Sequence, residues 1–312
     1  MTALCRVLTL LLVCVSACFA AADDAPGLLG PHRVGVRLIE IGRADDSVFT
    51  AWVFYPARED GLDTPANIDE GPYPVLSFGH GFLQAVQQYR HTLRVLASHG
   101  YLVVASNSHK DPFPDHAQFS ADLARCVTHL IKLDARESSW LYGLVDESAL
   151  ALGGHSMGGG AAVRAAESLP VQLVIPLAAA PLRADRGDER NASQKAPGTP
   201  VAHLVGSDDR IVIPALTRNL YDRAPAPKLM ITIEGGSHCG FLDRPESFGC
   251  DRGRIEPRRQ LRLARQLMLD ILDAYLKDDR DKHDALWDAG ATRAGLIFER
   301  SPRREREAPS DQ

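Results

Sequence analysis

Residues 149–169 read ALALGGHSMGGGAAVRAAESL: a short apolar run, a glycine-rich turn and a helix-forming run in direct succession. Within it Gly154-His155-Ser156-Met157-Gly158 is a G-x-S-x-G pentapeptide. Such a pattern arises by chance in about one chain in ten of this length, so its context has to carry the reading. Here the apolar run at Leu150 to Leu152 predicts a strand and Ala161 to Leu169 predicts a helix. A serine between a strand end and a helix start sits on a sharp turn, and flanking glycines remove side chains that would clash there. The helix behind it presents unpaired N–H groups and a positive dipole end, which favour negative charge at the serine.

The same grammar extends in both directions. Pro74 to Phe78, Tyr101 to Ala105, Leu173 to Leu177, Val201 to Val205 and Leu229 to Ile233 are short continuous apolar runs. Between them lie helical patterns at Arg90 to Ser98, which stops at Gly100, and at His116 to Leu133; Gln260 to Leu276 closes the series. Continuous apolar strands separated by helices predict a mostly parallel sheet covered by helices on both faces. The more polar stretches Val34 to Ile41 and Val48 to Tyr55 predict an antiparallel edge. Residues 23–298 are expected to form one α/β domain, followed by a polar tail at 299–312. The connection from Pro181 to Pro200 is too short for a cap domain.

Candidate chemical groups fall at the C-terminal ends of the predicted strands, where open α/β sheets place their sites. A serine nucleophile needs a base and an orienting acid, and in this kind of fold they follow in the order serine, acid, histidine. His238, in Gly235-Gly236-Ser237-His238 after the last central strand, is the expected base. His203 lies within a strand run and His283 in a charged helical region. Asp208 and Asp209 both follow the Val201 to Val205 strand, and the G-x-x-D spacing from Gly206 selects Asp209; Asp185 is an alternative acid position farther into a polar loop. Oxyanion donors are expected from the backbone N–H of Met157 and from the loop Gly79-His80-Gly81-Phe82, where Phe82 supplies the amide and Gly81 permits close approach. His80 reads as a residue packed under that loop, with a role as base the alternative.

At the N-terminus, Arg6 precedes an apolar run to about Ala22, shorter than a membrane span, and Asp23-Asp24 begins a polar stretch. Residues 1–22 are expected to be a secretory signal, with Ala20-Ala21-Ala22 as a cleavage site. Val15-Ser16-Ala17-Cys18 also resembles a bacterial lipobox, which would make 1–17 a lipoprotein signal and Cys18 a membrane anchor. The protein is therefore expected to be exported from a bacterial cell, whether periplasmic, secreted or lipid-anchored to the envelope. Of six cysteines, Cys126, Cys239 and Cys250 lie beyond this segment. Cys126 shares an apolar helical stripe with Phe119, Leu123 and Leu130 and is expected to be a buried thiol, which leaves Cys239 and Cys250 as the disulfide candidate. With no CxxC or HExxH pattern a zinc site is not expected. Composition narrows the partners further: the 312-residue chain carries 35 basic and 40 acidic side chains, a net charge of -5 with no long basic stripe, so nucleic acid is not expected as a partner.

PVLSFGHGF, LASHGYLVVAS, GGHSMGGG, VGSDDRIVIP and EGGSHCGF occur in the order in which the α/β-hydrolase family places its motifs. The chain resembles the branch holding chlorophyllase-like, platelet-activating-factor-acetylhydrolase-like and cutinase-like polyester hydrolases, from about Phe49 to Leu276. That resemblance implies Ser156 as nucleophile, His238 as base, Asp209 as orienter, Phe82 and Met157 as oxyanion donors, and hydrolysis of a small-molecule or lipid-like carboxylic ester with no metal or organic cofactor. Thioesterase, lipase and polyester hydrolase activities would use the same residues. A non-catalytic envelope lipoprotein or binding module that keeps the fold is the reading from another class. Ala180-Pro181-Leu182-Arg183 lacks the aromatic residue that polyester hydrolases carry there, and Ser156 stands where dienelactone hydrolases have cysteine.

Overall fold

The computed structural model describes residues 28–182, 199–245 and 249–302. The expected signal, Cys18, Asp185, most of the Pro181 to Pro200 connection and residues 303–312 of the expected tail lie outside the described residues. Among the described residues no helix is long and apolar enough to cross a membrane.

Ten strands form one sheet: β1 (Arg33–Gly42), β2 (Val48–Ala57), β3 (Gly61–Leu62), β4 (Tyr73–Gly79), β5 (Leu102–Ser106), β6 (Val145–His155), β7 (Leu173–Leu177), β8 (Val201–Gly206), β9 (Lys228–Ile233) and β10 (Leu296–Ser301). Their order across the sheet is β10-β9-β8-β7-β6-β4-β5-β2-β1-β3. Strands β4 to β9 are mutually parallel; β2 pairs antiparallel with both β5 and β1, β10 pairs antiparallel with β9, and the short β3 pairs parallel with β1. The mostly parallel sheet and the antiparallel β1–β2 edge are thus as the hydrophobic pattern predicts. Glu299 to Ser301, expected as the start of the polar tail, instead complete β10 and pair with β9. Their side chains are half-buried, so the period-2 signal is weak and the charges at Glu299 and Arg300 mask it.

Alternate residues of the central strands face opposite cores, as the pleat requires. On one side Leu76, Phe78, Val103 and Ala151 pack with Leu93 and Leu96 of α1 (Arg90–Ser98) and with Leu267, Met268 and Ile271 of α5 (Pro257–Leu276). On the other, Val75, Leu102, Val104 and Leu152 pack with Phe119, Leu123 and Leu130 of α2 (His116–Asp134) and with Ala161 and Ala162 of α3 (Met157–Ala165). Cys126 lies in this second core, and burial pushes its thiol pKa up, as suits an inert apolar residue. Helix α2 starts at Asp115, whose side chain accepts from the Gln118 N–H, and α5 starts behind Glu256, which accepts from the Arg258 and Arg259 N–H groups. Helices α4 (Pro214–Arg223) and α6 (Arg280–Trp287) and two short 3-10 turns, Val86–Gln88 and Cys239–Phe241, complete the described elements. The fold consequence for function is that β4, β6, β8 and β9 all end on one edge of the sheet, and the loops leaving them carry Phe82, Ser156, Asp209 and His238.

Candidate active site

Ser156 connects β6 directly to α3 with φ 56 and ψ -119, a backbone conformation that costs a non-glycine residue free energy and persists only where its surroundings enforce it. The enforcement is visible. Its N–H donates to the Leu177 carbonyl at 2.9 Å, and its carbonyl accepts from Ala180 N–H at 3.0 Å and Gly160 N–H at 3.1 Å. The end of β4 presses against the same turn, so that a Cβ on Gly158 would stand 2.1 Å from the Gly79 carbonyl oxygen. The motif glycines therefore serve a backbone-to-backbone contact that a side chain would prevent. Helix α3 begins immediately at Met157, earlier than the Ala161 start expected from composition, and its first N–H has no acceptor within the helix.

Asp209 and His238 meet from adjacent strands. His238 Nδ1 lies 2.7 Å from Asp209 Oδ2, and both side chains are buried. The other carboxylate oxygen, Oδ1, accepts from the Ile211 N–H at 2.9 Å and the Val212 N–H at 2.8 Å. As a carboxylate Asp209 can only accept, so Nδ1 is the ring nitrogen that donates to it and Nε2 is the one left for another partner. Asp208 points elsewhere and pairs with the exposed Arg254. Of the two adjacent aspartates, the spacing argument selected the one that reaches His238.

Phe82 and Met157 line the same cleft as Ser156, a cavity of about 670 Å³ to which Phe113, Pro114 and Leu182 also contribute. The neighbouring Gly81 N–H is already engaged, donating to the Tyr89 hydroxyl at 3.0 Å. His80 is fully buried under the loop, with Nδ1 2.8 Å from the Gly81 carbonyl and Nε2 2.7 Å from the Ser108 carbonyl; burial pushes its pKa down. It ties the loop after β4 to the loop after β5, as the packing reading anticipates.

One network was not legible in the sequence. Tyr89 accepts from Gly81 N–H, and its hydroxyl lies 2.8 Å from His155 Nδ1; His155 Nε2 lies 3.1 Å from the His238 carbonyl oxygen. Burial first, and repulsion from His238 second, push the His155 pKa well below the ordinary value, so its ring is neutral. A neutral ring with a carbonyl at Nε2 donates there and accepts the tyrosine proton at Nδ1. The chain of bonds therefore runs from the loop carrying Phe82, through Tyr89 and the residue before Ser156, to the backbone of His238. The His155 and His238 rings also pack together, with centroids 4.5 Å apart. No motif marks Tyr89, because its partner His155 lies 66 positions away in the chain.

Cys239 and Cys250 are disulfide-bonded, with Cα atoms 5.6 Å apart. Among the described residues no group of three or more His, Cys, Asp or Glu side chains could hold a metal ion.

Residues 57–175 match the family model for chlorophyllase. The matched segment runs from the end of β2 into β7 and includes the Phe82 loop and the Ser156 turn, but stops short of Asp209 and His238. No curated protein matches the chain. Together with the sheet order, the match identifies an α/β-hydrolase fold and a chlorophyllase-like segment, as the motif order implied, and supports a hydrolase of that type.

Proposed function

We propose, from a chlorophyllase-like segment carrying a strained serine turn, that this protein is a serine hydrolase of carboxylic esters working through an acyl-enzyme. The observation that carries the reading is the buried 2.7 Å Asp209–His238 pair on the same sheet edge as Ser156. His238 Nε2 takes the proton of Ser156 Oγ as the oxygen attacks the ester carbonyl carbon. The Phe82 and Met157 amides receive the negative charge that develops on the carbonyl oxygen; each such donor is worth about 3–4 kcal/mol of barrier. Collapse of the tetrahedral intermediate breaks the carbon–oxygen bond of the leaving alkoxide, which takes the proton from His238. Water, deprotonated by His238, then attacks the acyl-enzyme and releases the acid.

The cleft favours an apolar ester. Phe82 and Phe113 are 46% and 91% exposed at its wall, and Met157 and Leu182 add apolar surface, with Asp115 and His116 the charged or polar side chains that share the lining with Ser156. An exported location is supported by the disulfide, which persists in oxidising compartments.

A p-nitrophenyl ester series from acetate to palmitate tests the proposal. The wild type is expected to hydrolyse at least one member, Ser156→Ala none of them, and Asp209→Asn at a rate reduced by about 10⁴. A wild type inert on the whole series, or activity retained by Ser156→Ala, would sink the reading and favour the binding-module alternative.

A further inference from the structure

The Asp209–His238 pair depends on two loops from different strands keeping a fixed distance. A third segment, Cys250 to Ile255, crosses both. Cys250 is bonded to Cys239, next to the histidine. Gly253 lies so close to the histidine loop that a Cβ there would stand 2.0 Å from the Gly235 carbonyl oxygen, and the Ile255 N–H donates to that same oxygen at 3.1 Å. Arg254 reaches the acid loop through Asp208.

Asp251 is at the centre of this crossing. Its Oδ2 accepts from the Arg210 N–H at 2.9 Å and from the His238 N–H at 3.0 Å, while Oδ1 accepts from the Cys239 N–H at 3.0 Å. One carboxylate thus gathers the amide of the residue after the acid and the amides of the base and its neighbour. We propose that Asp251 is a positioning residue for the triad, setting the separation of the acid and base loops so that the His238 ring stands correctly between Asp209 and Ser156. This rests on the serine-hydrolase reading above.

The chemistry selects a carboxylate at this place. Three N–H donors converge on two oxygens, a set that only an ionised, acceptor-only group satisfies; an amide would turn an NH₂ toward at least one of them. The His238 ring itself is hydrogen-bonded to the carboxylate of Asp209 and packs on the neutral ring of His155.

The test compares Asp251→Ala and Asp251→Asn with the wild type in the full, oxidised chain. The readout is kcat per active serine, with active serines titrated by a fluorophosphonate. Asp251→Ala is expected to lower kcat per titrated serine by about tenfold to a hundredfold, as a small misplacement of reacting groups does. KM should change by no more than about twofold, and Asp251→Asn should fall between the two. Unchanged kcat per titrated serine, with only yield or melting temperature reduced, would make Asp251 merely structural and overturn the proposal. A second arm needs no turnover: in a Ser156→Ala background, the low-field proton resonance of His238 Nδ1–H should shift or broaden on Asp251→Ala, and an unmoved resonance overturns the proposal as well. If the wild type neither hydrolyses esters nor takes up the fluorophosphonate, the functional reading has failed, and the resonance still decides the role of Asp251.

Discussion

Tyr89 is the residue on which two halves of the site converge. Its hydroxyl serves the Gly81 N–H on one side and His155 on the other, in a fully buried position. Tyr89→Phe keeps the ring and its packing on Phe78 but leaves a buried amide and a buried imidazole nitrogen without their partner. Each unsatisfied group costs about 1–3 kcal/mol, so with two of them the variant should lose about 2–6 kcal/mol of stability in urea denaturation and show a lower kcat on p-nitrophenyl butyrate. Stability lost with kcat intact would show that the network braces the core without setting the Phe82 loop. Residues of this kind mark the limit of reading a sequence one motif at a time. The candidates Ser156, Asp209 and His238 stand out in the sequence because each sits in a short pattern at a strand end, where geometry restricts what the residue can do. Tyr89 and Asp251 act through partners tens of positions away, and their immediate neighbours in the chain carry no sign of it.

At the scale of elements, the strands that hold the site were legible from their unbroken apolar runs, since a strand buried on both faces leaves little room for another pattern. The edges were less so. β10 has half-buried, partly charged positions, and its antiparallel pairing with β9 is set by the chain returning from α6 rather than by its own composition. The element following β9 behaves differently again: between His238 and α5 the described backbone has only one short helical turn, Cys239–Phe241, and is anchored by the Cys239–Cys250 bond. Such a bond over an 11-residue separation stabilises by about 2–3 kcal/mol through the unfolded chain. Reduction with a phosphine should therefore lower the melting temperature, and should lower kcat as well because the bond attaches to the residue beside His238. The comparison is melting temperature and ester hydrolysis of oxidised and reduced protein under otherwise equal conditions. No change in either would show that backbone hydrogen bonds alone hold the loop.

For the whole molecule, the antiparallel edge is fastened to the parallel body by a buried ion pair. Arg43, at the end of the β1–β2 hairpin, donates through Nε to Asp122 Oδ1 at 2.9 Å and through a terminal nitrogen to Oδ2 at 2.7 Å, with Asp122 in α2 fully buried. Burial by itself would raise the Asp122 pKa, but the two hydrogen bonds and the charge of Arg43, with His109 Nε2 3.5 Å from Oδ2, outweigh it and hold the carboxyl at about 2, below its ordinary 3.8. A depressed folded-state pKa means stability that is present above the unfolded value and lost as pH falls through the folded one. The contribution is on the order of 2 kcal/mol, present in full above about pH 4 and gone below about pH 2. Asp122→Asn removes the charge and leaves Arg43 without its counter-ion, so at neutral pH the variant should be less stable by about 3 kcal/mol or more. Because protonated aspartic acid resembles asparagine, the gap between wild type and variant in urea denaturation should narrow as pH falls from 4 to 2. A gap constant over that range would mean that the hairpin is held by its apolar contacts and that the pair's charge contributes nothing to the attachment.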